Sequence, residues 1–229
     1  MDNLKIEVDR FIVFLKSIER TFVGIPFDDC YSFKVEIVQH NEAEAIFKAM
    51  KSNVVIMLYN YVEAAVRKTM SDFYNKFNTS TCSYSEVILE LRKLWISSKV
   101  KDIKESTIVS DVFEMIENSI NQEFFISLDF EKDFSLSGNA DVRTIKEILY
   151  KHGVPFEESQ FSDYGGSLKS IKDMRNSLAH GNISFEDNGG RFSIQDINEL
   201  KNKTYQCLDY FISLINSAII NQEFMSQDI

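Results

Sequence analysis

The chain has 229 residues, 44% of them hydrophobic and 26% charged, enough to bury a full core in one large domain. Its 35 acidic residues against 25 basic ones give a net charge of −10, which opposes indiscriminate attraction to phosphate backbones, so any nucleic acid must be held locally. Only two prolines and eight glycines punctuate it, which excludes a linker-rich or strand-rich chain and predicts an all-α fold in a single domain, 1–229.

Leu4, Val8, Phe11, Leu15, Ile18 and Phe22 recur at three- and four-residue steps, predicting an amphipathic first helix that Gly24 and Pro26 end. Asp2, Lys5 and Glu7 precede any apolar stretch, unlike the basic-then-apolar layout of a signal peptide, so the expected location is cytoplasmic. A second helix opens at Asn41, with Glu44 spaced for a capping box, and runs without a breaker to about residue 77. At about 1.5 Å per residue it is roughly 55 Å long. Its most apolar part, 54–66, is interrupted by Asn60 and Glu63 and is far shorter than the roughly 20 residues that span a bilayer, so no membrane span is expected.

Ser83 or Ser85 is placed to cap a third helix reaching Trp95, and 110–122 reads as a shorter fourth. The stretch 124–134 is rich in Phe without a helical period and reads as irregular chain or a short strand over the core. Asp141 caps a compact helix that ends at His152-Gly153, with Pro155 beyond it. Gly165-Gly166 precede a helix over about 167–180, and Gly181 stands where a left-handed cap is wanted. Between 183 and 194 two short apolar runs flank Asp187-Asn188-Gly189-Gly190, which predicts a small β-hairpin. A closing helix over 195–221 gathers Leu200, Cys207, Phe211, Leu214 and Ala218 on one face.

Cys30, Cys82 and Cys207 are odd in number and scattered, without the spacing of a zinc site or a secreted disulfide framework, and read as small core residues in a reducing cytosol. His40, His152 and His180 have no Cys or carboxylate at ligand spacing, so neither a metal nor another cofactor is expected. There is no phosphate-cradling Gly-rich loop, which leaves a nucleotide-binding accessory role with little support.

Leu168, Ile171, Arg175 and Leu178 form one helical stripe, so Arg175 interrupts an apolar seam. A guanidinium there loses solvation and needs an anionic partner, either a carboxylate of the protein or a bound phosphate. Asn176 lies one turn before His180, placed to orient the imidazole or to touch the same ligand. Arg175 and His180 are not on one stripe: five helical residues rotate them by roughly 140° net. They converge only if Gly181 lets His180 leave the helix, or if a second copy of the helix faces the first across a two-fold axis. A histidine beside a C-terminal glycine is also what the helix dipole favours at any helix end, and His152-Gly153, which looks the same, takes that structural role, as does His40. On the second helix Asn53, Asn60, Glu63 and Arg67 draw a polar stripe. It is either a solvated face or one turned to the Arg175 helix, with Glu63 steering Arg175 and Asn60 adding a hydrogen bond. Lys169, Lys172 and Arg175, opposed in that stretch only by Asp173, make a small basic patch.

Arg175-Asn176-Ser177-Leu178-Ala179-His180 resembles the mark of the HEPN domains, specifically the MAE-type HEPN-like nucleases of prokaryotes: Arg, a polar residue, three others and His near the end of a helix. Leu58-Tyr59-Asn60-Tyr61-Val62-Glu63, Ser137-Gly138-Asn139-Ala140-Asp141 and the run from His180-Gly181 through Gly190-Arg191-Phe192-Ser193 also look like that family. The resemblance implies a helical bundle that dimerises, with itself or a related HEPN chain, around paired motif helices that form one cleft for RNA, tRNA included. It implies a metal-independent endoribonuclease in which His180 is general base or acid and Arg175 stabilises the phosphorane, leaving a 2′,3′-cyclic phosphate. Asn176, Glu63, Asn60, Lys172 and Lys169 are then auxiliary or RNA-binding residues. Toxin–antitoxin and phage-defence settings, with an antitoxin or defence partner protein, follow by analogy. The competing expectation is a non-catalytic HEPN dimerisation or regulatory subunit, which the acidic charge fits better.

Overall fold

A computed structural model describes residues 2–23, 40–136 and 140–226, and among these the chain is helical, with β structure confined to two isolated bridges, Ser83 to Phe125 and Val87 to Met225. In chain order the helices are α1 (Asp2–Val23), α2 (His40–Thr79), α3 (Leu89–Asp102), α4 (Ile108–Ile120), α5 (Phe130–Asp133), α6 (Val142–Lys151), α7 (Glu158–Ala179), α8 (Phe185–Gly190) and α9 (Ile194–Ile220). No helix of the described residues is long and apolar enough to cross a membrane. The chain divides into two compact units, Met1–Ala64 with Asp163–Gln206 and Ala65–Ser162 with Cys207–Ile229.

In the first unit, α1 buries Val8, Ile12 and Leu15 on the stripe that periodicity predicts. Gly24, Pro26 and Cys30 lie outside the described residues. Lys201 on α9 donates to Asp9 Oδ1 at 2.9 Å, and the Tyr205 hydroxyl donates to the Lys5 carbonyl at 3.3 Å, so α1 is tied to the first turns of α9. The first part of α2 buries Val54, Val55, Leu58, Tyr59 and Val62. Tyr61 and Tyr205 meet edge to face with centroids 5.3 Å apart.

Helix α7 begins at Glu158, earlier than the glycine pair suggested, and runs straight through Gly165 and Gly166. Each interior glycine costs roughly 1 kcal/mol against alanine, which sets a tax on the helix but does not stop it. The predicted hairpin is not formed either. The Asp187-Asn188-Gly189-Gly190 run is the body of α8, capped by Ser184, whose hydroxyl accepts from the Asp187 N–H at 3.0 Å.

In the second unit, α2 continues with Met70, Phe73, Tyr74 and Phe77 buried, and the rings of Phe73 and Phe77 lie edge-on to Phe224. Ser83 caps a short 3-10 turn, Tyr84–Glu86, in which Glu86 Oε2 accepts from the Ser83 N–H at 2.7 Å. The following helix, α3, therefore starts later than the serines implied and continues to Asp102. The Phe-rich stretch is irregular as expected and buries Ile126, Leu128 and Phe134; the Asn78 amide holds both backbone groups of Leu128, and Asp129 caps the unforeseen single turn α5. Asp141 caps α6 as predicted, accepting from the Thr144 N–H at 3.0 Å. On α9, Cys207, Phe211 and Ala218 are buried together with Leu208 and Ile215, while Leu200 and Leu214 are half-buried.

Candidate functional site

The last turns of α7 are held by Leu168, Ile171 and Leu178, all buried, and Arg175 sits among them half-buried. Its guanidinium carbon lies 4.7 Å from the centroid of the Tyr59 ring on α2. The cation therefore rests on the electron-rich face of a fully buried aromatic. The Tyr59 hydroxyl donates to Glu63 Oε1 at 3.0 Å, one turn further along α2. Glu63 thus reaches Arg175 through the ring: a carboxylate accepting the phenolic proton makes that ring a better seat for a cation. Arg175 Nη1 donates to Asn176 Oδ1 at 3.0 Å. Among the described residues no carboxylate lies within ion-pair distance of Arg175, so the partners of this seam arginine are a ring and an amide.

Helix α7 ends in a Schellman turn. The Gly181 N–H donates to the Leu178 carbonyl at 3.2 Å and the Asn182 N–H to the Ser177 carbonyl at 2.9 Å, with Gly181 at φ +69. This makes His180 the last residue before the turn, its own N–H still bonded to the Asn176 carbonyl at 3.0 Å and its side chain exposed. The Asn176 side chain turns to Arg175 through its carbonyl oxygen.

The chain just beyond His180 is clamped to α2 by residues outside the predicted site. Ser52, fully buried, donates to the Phe185 carbonyl at 2.6 Å and accepts from Asn188 Nδ2 at 3.0 Å. Lys51 donates to the Phe192 carbonyl and lies 5.3 Å from the Phe47 ring; burial holds its ammonium below the ordinary lysine range. Gly189 is there because α2 passes against it: a Cβ would stand 1.8 Å from the Lys48 carbonyl oxygen. In the sequence Lys51-Ser52-Asn53 stands as an ordinary polar triplet ahead of the apolar run 54–59, and only burial separates Lys51 and Ser52 from the exposed Asn53.

The remaining candidates divide. Lys172 is largely buried with its ammonium 3.9 Å from Asp173 Oδ1, whereas Lys169, Asn53 and Asn60 are exposed. Arg67, at the end of the polar stripe, belongs to the other unit, where it pairs with Glu131 at 3.2 Å. An open groove of about 550 Å³ runs beside α7, lined among others by Ser170, Met174, Arg191, Asp196 and Lys203. Among the described residues no group of three or more His, Cys, Asp or Glu side chains is placed to hold a metal ion.

His152 shows what the same dipeptide does elsewhere. It is 2% exposed, Nδ1 donates to the Ile148 carbonyl at 2.7 Å, and Nε2 accepts from the Tyr74 hydroxyl at 3.0 Å. Burial pushes its pKa down to about 4, so the ring is neutral near pH 7, and with the Nδ1 proton committed to the Ile148 carbonyl Nε2 is left as the acceptor.

Compared with known proteins, residues 1–224 match the family model described as MAE_28990-like HEPN. No curated protein and no solved structure matches the chain.

Proposed function

Because this chain belongs to the MAE_28990-like HEPN family, we propose that it is a metal-independent endoribonuclease whose cleft forms where the α7 ends of two copies, or of this chain and a related HEPN chain, meet. The observation that carries the reading is the end of α7 itself, where an arginine that has no carboxylate partner among the described residues and an exposed histidine stand five residues apart on a capped helix. A guanidinium seated on an aromatic ring keeps donors for the non-bridging oxygens of a phosphate. An exposed imidazole can exchange protons with a bound substrate.

In this mechanism the ribose 2′-oxygen attacks the adjacent phosphorus and the bond to the 5′-oxygen breaks, leaving a 2′,3′-cyclic phosphate and a 5′-hydroxyl. His180 takes the proton from the 2′-hydroxyl or supplies one to the leaving oxygen, and Arg175 stabilises the phosphorane charge. The nucleophile is already tethered next to its phosphate, so positioning supplies much of the barrier reduction. The net rotation of roughly 140° between Arg175 and His180 is why two helices are needed to complete one site. Glu63 acts on Arg175 through Tyr59, Asn176 sets the guanidinium plane, and Lys169 with Lys172 and Asn60 contacts RNA near the cleft. The charge of −10 restricts binding to that cleft and suits a selective cutter of RNA such as tRNA, in a cytoplasmic toxin–antitoxin or phage-defence setting with a partner that restrains it.

The ring that seats Arg175 also favours a second reading. A cation satisfied by Tyr59 and Asn176 has a structural purpose of its own, which fits a non-catalytic HEPN subunit that dimerises and regulates. Total cellular RNA incubated in EDTA with the wild-type chain and with His180→Ala separates the two. Cyclic-phosphate ends produced by the wild type alone support the ribonuclease; no cleavage by either, or equal cleavage by both, removes it.

A further inference from the structure

The groove of about 550 Å³ beside α7 takes no part in the chemistry above, and the residues that line it all belong to the first unit. Ser170 and Met174 stand on its α7 side, and the other side is the chain from Arg191 into the first turns of α9, with Phe192, Glu199 and Lys203. Phe192 is half-buried and its main chain is pinned, since the buried Lys51 donates to its carbonyl. A ring on a pinned backbone loses little freedom when a flat ligand stacks on it. Arg191 and Lys203 are exposed, and among the described residues neither is in an ion pair.

The carboxylates of the groove narrow what suits it. Asp196 is committed to capping α9, its Oδ2 accepting from the Ser193 N–H and from the Ser193 hydroxyl, each at 2.8 Å. Glu199 is exposed, and Oε1 accepts only a long bond from Gln195 Nε2, at 3.3 Å. Such a carboxylate repels a bare phosphate, but its two oxygens accept a matched pair of donors. Among the RNA bases only guanine sets two N–H donors side by side on its Watson–Crick edge, N1–H and the 2-amino group. Adenine and cytosine place an acceptor beside their amine, and in uracil two carbonyls flank a single N–H. An unpaired base in RNA offers that edge and a ring face for stacking at once.

We propose that this groove is a subsite for one unpaired guanine nucleotide of the RNA: Phe192 stacks on the base, Glu199 accepts from N1–H and the 2-amino group, and Arg191 and Lys203 meet the neighbouring phosphates. The inference rests on the ribonuclease reading for its ligand. Met174 directly precedes Arg175, and Ser170 lies roughly 7.5 Å of helix axis before it, so a guanine held here is a near neighbour of the scissile phosphate. The probe is a fluorescein-labelled short oligouridylate whose central base is guanine, hypoxanthine, adenine or uracil. Its sugars are 2′-O-methylated, which removes the nucleophile and leaves binding alone to be read. Fluorescence anisotropy at low salt is expected to show the full chain binding the guanine oligomer about tenfold tighter than those with adenine or uracil, and hypoxanthine, which lacks the 2-amino group, losing most of that preference. Glu199→Gln is expected to abolish the preference without weakening the uracil oligomer. Phe192→Leu is expected to weaken every oligomer about tenfold, and Arg191→Ala with Lys203→Ala to lower the slope of log affinity against log salt by about 1.4. Far-ultraviolet dichroism and melting curves taken alongside establish that the variants are folded. No binding of any oligomer, equal binding of all, or a guanine preference that survives Glu199→Gln overturns the proposal. Guanine-selective binding by a chain that leaves ordinary RNA intact in EDTA sinks the ribonuclease alone, whereas cleavage with no guanine preference in binding sinks the subsite alone.

Discussion

His152-Gly153 and His180-Gly181 are the same dipeptide in the same backbone device. Each glycine has a positive φ, +67 and +69, and each histidine is the final residue before a Schellman turn, closed at the first end by the Gly153 and Val154 N–H groups and at the second by those of Gly181 and Asn182. The surroundings then divide them. His152 is enclosed by Phe73 and Tyr74 and has both ring nitrogens engaged, while His180 is exposed at the end of the helix that carries Arg175. A helix-end histidine is therefore chemically defined by what the fold places around it, and the cap itself is silent on the matter.

The contrast is sharpest in activity. In the proposed ribonuclease, His180→Ala is expected to lower cleavage by about 10²–10⁴-fold, the usual weight of a general acid or base, with little change in stability, and Arg175→Ala to do comparable damage. His152→Ala should do the reverse: cleavage per folded molecule is retained, but stability falls by about 3 kcal/mol, because a buried ring is lost and the Tyr74 hydroxyl loses its acceptor. Denaturant unfolding beside RNA cleavage checks both, and equal effects of the two alanines on activity would erase the distinction.

Acid tests the enclosure of His152 separately. The His152 pKa falls from 6.5 in the unfolded chain to about 4 in the folded one, so the unfolded state binds the extra proton between those values. The contribution of the neutral ring is complete above about pH 6.5 and is lost as pH falls towards 4, a change of about 3 kcal/mol. Unfolding curves taken across that window should slope less steeply for His152→Gln than for the wild type. The smallest effects come from the glycines. Gly181→Ala meets nothing within 4 Å and costs only the left-handed backbone, about 1 kcal/mol, whereas Gly153→Ala also drives its Cβ to 2.5 Å from Ile88 Cδ1 and should cost more. Thermal melts of the two variants give the difference.

Features set by local chemistry were legible in the sequence. Asp141 capping α6, Gly153 and Gly181 closing their helices, the seam of α1 and the uninterrupted α2 all follow from neighbours within a few positions. The hairpin expectation failed because the Asn188-Gly189 pair answers to α2, far away in the chain: the amide bonds to Ser52 and the missing Cβ makes room for the Lys48 carbonyl. A turn signal and a close-packing signal use the same letters. Arg175 intrudes on its apolar seam as the spacing predicts, but nothing in the sequence sets Tyr59 apart from the other aromatics of α2, and only its position under the guanidinium distinguishes it. The polar stripe leaves Glu63 either solvated or turned to Arg175, and the structure interposes Tyr59 between the two.

The Schellman turn at Gly181 also works as a ruler. It pins where α7 stops, so the number of residues between Arg175 and Gly181 sets the azimuth and height of the arginine relative to the terminal imidazole, much as tooth count sets the phase of two gears. One residue more in that interval would leave the cap intact yet swing Arg175 by about 100° off the face of Tyr59. In this fold the spacing written into the motif is a rotational setting, and the glycine is the stop against which it is measured.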